Sequence, residues 1–238
     1  MVNGLSQPCT VPHLGEGVYT VPDAVRILHL RSPFLQRWIS GYSRILADGD
    51  HKHCRGIVDQ GCWGVGRDRG INFFALIEVF TFAALRHLGV SAQRIRKARS
   101  ELAQRFKTPY PFASHSLLSD GKQILVVLRG VEEPVLMILG EQGQTALRRV
   151  IEPFCRKIDF CGSTSLAEKF WPLGRERAVI VDPRRGFGRP TLVGTNITTE
   201  TIAQFVISGE SADSVAHEFE ISKQAVLDAF EFELREAA

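Results

Sequence analysis

The chain is short of cysteine and tryptophan, and it has no strong excess of either charge. Its 238 residues hold five cysteines (Cys9, Cys54, Cys62, Cys155 and Cys161), an odd number at irregular spacing. Such a set excludes a regular disulfide framework and fits a reducing cytosol. No secretory pattern opens the sequence, so a cytoplasmic protein is expected. The net charge of +3 is too small to argue for any partner by itself. Long apolar runs are missing too. The most apolar stretch, 71–88, is broken by Asn72, Glu78, Arg86 and His87, so it reads as a core helix rather than a membrane span. There is no phosphate-cradling glycine loop, no convincing Ser/His/Asp set and no paired carboxylates at helical spacing. His115 and His217 look incidental. A non-enzymatic protein is expected, with no catalytic residues and no cofactor.

What is present suits a soluble globular chain. Charged residues make up 23% and aromatics 9%, and the length leaves room for two small domains and a substantial core. The charge is unevenly spread. Residues 200–238 carry nine acidic groups against Lys223 and Arg235, whereas 86–107 carry seven basic groups against Glu101. A phosphate backbone would be repelled by the first stretch and attracted by the second.

Two stretches share one spacing. Near the C-terminus, Ser211 and Ser222 stand as N-caps, Val215, Ala216 and Phe219 form one short apolar period, and Val226, Ala229, Phe230 and Leu234 form the next. The positions Ala216, Ile221, Val226 and Ala229 fit a helix-turn-helix, in which a small residue lets two helices approach and apolar residues lock the crossing. Near the N-terminus, Val25, Leu30, Leu35 and Trp38 repeat those intervals. Both turns lack the glycine often found there; His29 and Glu220 stand in its place, and histidine tolerates a left-handed backbone better than glutamate.

The two units differ in charge. The outer face of the N-terminal second helix offers Arg31, Ser32, Gln36 and Arg37, with Arg44 just beyond. Arginine and glutamine can make bidentate contacts to purine edges, and the others can hold phosphates. The corresponding C-terminal helix offers Asp228, Glu231 and Glu233. The first unit is therefore expected to read DNA and the second is not.

The C-terminal stretch VIVDPRRGFGRPTLVGTNITTETIAQFVISGESADSVAHEFEISKQAVLDAFEFE resembles the small bacterial domain known as domain-of-unknown-function family 433, which occurs in VapB-type antitoxins. The resemblance is carried by Asp182-Pro183, Gly188-x-Pro190, Gly194-Thr195 before Ile197, and Ser208-Gly209-Glu210-Ser211. Val193 and Asn196 depart from it, standing where the family often has arginine. The N-terminal segment resembles the DNA-binding domain of MerR-type regulators, from Tyr19-Thr20-Val21 through Leu35-x-x-Trp38 to Gly89-Val90-Ser91 and Ile95. That likeness implies a β wing, which 43–70 would form, with Arg67 and Arg69 within reach of phosphate. The same loop holds His51, His53, Cys54 and Cys62, but their order is not that of paired zinc knuckles, and no metal site is assigned.

The remaining chain is read from its periods. The helix 73–88 has two apolar faces (Phe73, Leu76, Ile77, Phe80, Ala84 and Leu88; Phe74, Phe82 and Leu85), so it is buried all round or shared with another subunit. In the next helix Ile95, Ala98, Leu102 and Phe106 point inward, and Arg94, Arg96, Lys97, Arg99 and Arg105 point out. A hairpin around Asp120-Gly121, a strand at 134–139 and a helix through Leu147 and Phe154 follow, with Cys155 and Cys161 as inert thiols. Arg184, Arg185, Phe187 and Arg189 form an Arg/Gly/Pro loop in which Phe187 between two glycines is a candidate anchor for a protein partner. The alternative for those arginines is internal pairing with the acidic tail.

The expected fold is mainly α with small β elements (α+β): a mobile arm at 1–17, a MerR-like winged helix-turn-helix at 18–107, an α+β connector at 108–170, and an antitoxin-like helix-turn-helix domain at 171–238. The resemblances imply an antitoxin that binds a PIN-like ribonuclease toxin through its C-terminal domain and represses its own operon as a homodimer on operator DNA. A stand-alone MerR-like regulator sensing a small effector through 108–170 is the alternative. A scaffold using both units for dimerisation is a third reading.

Overall fold

The computed structural model of the chain describes residues 16–30, 32–45, 51–54, 56, 61–64, 69–114 and 152–235. The expected hairpin around Asp120-Gly121, the 134–139 strand and residues 1–15 of the arm lie outside them. The architecture is α+β, as expected. Strand β1 (Tyr19–Thr20) leads into α1 (Val21–Leu28) and α2 (Ser32–Ser40), followed by a hairpin of β2 (Tyr42–Ile45) and β3 (His51–Cys54). Strands β4 (Cys62–Trp63) and β5 (Gly70–Ile71) then precede α3 (Phe73–His87) and α4 (Ala92–Arg105). After a 3-10 turn (Pro111–Ala113), the later part holds β6 (Ile158–Phe160), β7 (Ala167–Phe170), β8 (Val179–Val181) and β9 (Pro190–Leu192), then α5 (Thr199–Ile207), α6 (Ala212–Glu218) and α7 (Lys223–Leu234).

Among the described residues there are three sheets, all antiparallel: β1-β5-β4, β2-β3 and β6-β7-β8-β9. The last of these runs across residue 170, so the strands of the expected connector and those of the C-terminal domain share one sheet. The expected wing over 43–70 divides in two. The β2–β3 hairpin is a wing directly after α2, with Arg44 opposite Lys52, while the later half returns as β4 and β5 to pair beside β1.

Helix α3 is buried all round by its own chain. Phe73, Ala75, Leu76, Ile77, Val79, Phe82 and Leu85 are each fully buried. Asn72 opens the helix: its side chain accepts from Ala75 N–H at 2.9 Å and donates to the Tyr110 hydroxyl at 2.8 Å. Glu78 lies inside this apolar helix with no exposed surface. It is tolerable there because Arg99 of α4 donates to Glu78 Oε2 from Nε (2.9 Å) and Nη2 (2.7 Å), and Phe112 N–H donates to Oε1 at 3.1 Å. Arg99 also donates to the Pro109 carbonyl at 2.9 Å. Arg99 thus points in, not out as its neighbours on α4 suggest. Phe106, expected inward, ends α4 at 39% exposure.

The end of the expected mobile arm is held. Phe73 N–H donates to the Glu16 carbonyl at 2.9 Å, and Val18 N–H donates to the Phe187 carbonyl at 3.1 Å. Gly188 makes this docking possible: it sits at φ +85°, and a Cβ there would stand 2.2 Å from the Tyr19 hydroxyl. Only glycine lets the Tyr19 ring lie on the 186–188 turn.

The buried Glu78–Arg99 pair yields a sharp expectation. Glu78→Ala strands a guanidinium in the core and costs about 3–5 kcal/mol, read as a drop in unfolding free energy in urea. A loss under about 1 kcal/mol, the range of an exposed pair, would show that water reaches Arg99.

Candidate nucleic-acid interface

The first helix-turn-helix is set by local chemistry. Thr20 and Asp23 form a capping box at the start of α1: Thr20 N–H donates to the Asp23 carboxylate at 2.9 Å, and Asp23 N–H donates to the Thr20 hydroxyl at 3.4 Å. His29 ends the helix in the left-handed region (φ 49°), and Leu30 N–H donates back to the Val25 carbonyl at 3.3 Å. The second unit repeats this. Glu220 has φ 54°, and Ile221 N–H donates to the Ala216 carbonyl at 3.0 Å. Non-glycine residues in this conformation cost about 1–2 kcal/mol, and both turns carry that cost.

The helices after the two turns face different surroundings. On α2, Leu35 and Ile39 are fully buried and Trp38 packs on Phe82 at 4.9 Å between ring centroids. Gln36 and Arg37 are exposed, and the β2–β3 hairpin follows α2 in the chain. On α7, Val226, Ala229 and Phe232 are buried, and so is Asp228, which the sequence had placed outward. Its carboxylate accepts from Ala178 N–H (2.8 Å), Arg177 Nε (2.6 Å) and Gln224 Nε2 (2.8 Å). Burial works against the Asp228 charge, but those three donors hold its pKa below the ordinary value. Further along α7, Glu231 pairs with Arg177, and Glu233 accepts from Arg26 Nη1 of α1 at 3.1 Å and from the Thr199 hydroxyl. Phe232 meets His29 edge-on at 5.7 Å. The inner face of α7 is thus occupied by its own chain.

The other candidates for DNA contact divide by position. Ser32 and Arg44 belong to α2 and β2, but their side chains, like Arg31 and Arg67, lie outside the described residues. Arg69 is half-buried at the entry to β5, with its Nε enclosed, and so is poorly placed for phosphate. His51, His53 and Cys54 fall on β3 and Cys62 on β4.

The Arg/Gly/Pro loop is internally paired. Arg184 meets Glu168 at 2.6 Å and Asp182 at 3.4 Å, Arg185 approaches Asp182 at 4.0 Å, and Arg189 meets Glu200 at 2.5 Å. These are half-exposed pairs, each worth little. Phe187 stands at 73% exposure with φ 57°, the one member of this set without such a tie. The positions that carry the C-terminal family resemblance are turn determinants. Asp182 accepts from Arg184 N–H at 3.0 Å, Gly194 and Gly209 have φ +79° and +104°, and the Thr195 hydroxyl accepts from Ile197 N–H at 3.1 Å.

Comparison with known proteins finds two family matches, one in each half of the chain. Residues 179–232 match the family described as "Protein of unknown function (DUF433)", and residues 17–99 match "Putative DNA-binding HTH domain". The chain is similar to "Putative antitoxin VapB45" of Mycobacterium tuberculosis (strain ATCC 25618 / H37Rv), 24% identical over 90% of this chain and 92% of that protein. "Uncharacterized protein Rv2308" of the same organism is 26% identical over 92% of this chain and 91% of its own length. The crystal structure of Rv2018 from Mycobacterium tuberculosis shares the fold, with a TM-score of 0.66 and 22% identity over 89% of this chain and 96% of that one. Among the described residues no helix is long and apolar enough to cross a membrane.

One residue corrects the sequence reading for a different reason. Cys161 and Cys155, both expected to be inert, have opposite characters. Hydrogen bonds from Ser163 and Thr164 bring the Cys161 thiol down to about 6, while burial pushes Cys155 up to about 12. Of the two, Cys161 has the greater thiolate character. Iodoacetamide is therefore expected to alkylate Cys161 well ahead of Cys155, as read by peptide mass spectrometry. Equal rates would contradict the assignment.

Proposed function

We propose that this protein is an antitoxin that also represses its own operon. The observation that carries the DNA-binding half is the contrast between α2 and α7. Helix α2 keeps Gln36 and Arg37 exposed and is followed by a two-stranded hairpin, whereas the inner face of α7 is packed on its own chain. Gln36 and Arg37 make base-edge contacts, and Ser32, Arg31, Arg44 and Arg67 hold phosphate, with Arg69 a minor contributor. The name of the VapB45 relative supports the antitoxin half. In this reading the partner is a PIN-like ribonuclease toxin, the chain works in the cytoplasm, and a homodimer meets a two-fold operator. Phe187 anchors the toxin, and Arg184, Arg185 and Arg189 exchange their internal carboxylates for those of the toxin's acidic site.

Co-expression with the adjacent gene, with only this chain tagged, tests the antitoxin role. A small co-purifying protein that cleaves RNA once released is expected, and Phe187→Ala should weaken its capture by about tenfold or more. Capture of nothing by the unmutated chain would overturn the role.

The DNA half is tested by fluorescence anisotropy on the protein's own promoter at fixed salt. Arg37→Ala should cost about 1–3 kcal/mol of affinity, while Lys223→Ala at the start of α7 should leave it unchanged. Equal losses would assign the DNA surface wrongly.

A further inference from the structure

A cleft of about 370 Å³ opens where the α1–α2 turn meets α3, the 153–172 segment and the end of α7. That is within the size range of small-molecule sites. Its apolar floor is aromatic: the Phe80 and Phe154 rings stack with centroids 3.5 Å apart, and Phe170 lies 5.7 Å from Phe154. The ionisable side chains at its walls are His29, Lys157 and Arg235, and none of the described lining residues carries a carboxylate.

The polar groups are underused. Both ring nitrogens of His29 are buried without a hydrogen-bond partner, an unusual and costly state for an imidazole. Lys157 Nζ donates to the Pro172 carbonyl at 3.0 Å, which leaves two of its hydrogens. Arg235 is exposed at the rim. The groups also repel one another. Burial first, then Arg235 and Lys157, lowers the His29 pKa. Burial first, then Arg235, lowers that of Lys157, with Glu176 acting in the opposite sense. Glu233 of α7 does not relieve this, being engaged by Arg26 and Thr199. An anion seated among these groups would relieve the repulsion.

We propose that this cleft binds an aromatic carboxylate, its ring against Phe80, Phe154 and Phe170 and its carboxylate between Lys157 and Arg235, close to the His29 ring. The site lies directly behind the turn joining α1 to α2, so its occupant touches the first helix-turn-helix without touching Gln36 or Arg37. The proposal rests on the cleft alone and holds whether or not the chain binds a toxin or an operator.

The test is calorimetric titration of the full chain with 2-naphthoate at about pH 7, with neutral 2-naphthamide as the control. Saturable one-site binding of 2-naphthoate is expected, with 2-naphthamide at least about tenfold weaker. Arg235→Gln, at an exposed position, and Lys157→Gln should each weaken binding by about tenfold, with melting temperatures checked alongside; if Lys157→Gln fails to fold, Arg235→Gln decides. By NMR, the His29 imidazole pKa should rise on saturation. The proposal is overturned by an absence of saturable binding at millimolar 2-naphthoate, by equal affinity for 2-naphthamide, or by unchanged affinity in the folded variants.

Discussion

Arg26 ties the two helix-turn-helix units into one body. It reaches from α1 to Glu233 of α7 at 3.1 Å and lies 3.8 Å from Glu200 of α5. The other oxygen of Glu233 takes the Thr199 hydroxyl, and Glu200 also meets Arg189 beside the 186–188 turn. One guanidinium therefore sits at the head of a network through α7 and α5 to the Arg/Gly/Pro loop. The charges are only part of its strength, because Glu233 is partly enclosed and the apolar packing around it is extensive. His29 on Phe232, Phe80 on Phe154 and Tyr19 on Gly188 close the same seam. The clamp fixes the direction of α1, and through the 29–30 turn that of α2. It also occupies the helix that would otherwise be a second reading head.

That seam gives the uneven charge a physical meaning. The acidic C-terminal stretch looks, in the sequence, like a surface hostile to phosphate. In the fold much of it is neutralised: Asp228 and Glu231 by Arg177, Glu233 by Arg26, Glu200 by Arg189 and Asp213 by Lys223. Several of these cations come from outside the stretch. Pairing inside the molecule removes charge that could act at a distance.

The helix-turn-helix units were legible because their signal is local. Intervals of five, five and three between locking residues, with a capping residue ahead of each C-terminal helix, suffice to place the helices and to mark His29 and Glu220 as turn positions. The uniform apolarity of α3 was equally plain, though the chain's own burial of it is a tertiary fact. What the sequence hid depends on distant partners. Arg99 reads as one more member of a basic helix face until Glu78, twenty-one residues earlier, is seen to meet it. Asp228 reads as a surface acid until Arg177 and the Ala178 amide are placed beside it. Strands β6 and β7 were hidden because they have only three and four residues, too few for a period-two pattern to show. Gly188 shows its role only in the fold, where it admits the Tyr19 ring. Cys161 could not be told from Cys155 without the Ser163 contact.

The central claim is that two similar helix-turn-helix units are put to different uses: the first faces DNA, and the second is a scaffold clamped against it. Hydrogen–deuterium exchange of the full chain, with and without its own promoter DNA, tests this most directly. DNA should slow exchange in peptides covering α2 and the β2–β3 hairpin and leave those covering α6 and α7 unchanged. Slowed exchange in α6 and α7, with α2 unaffected, would contradict it.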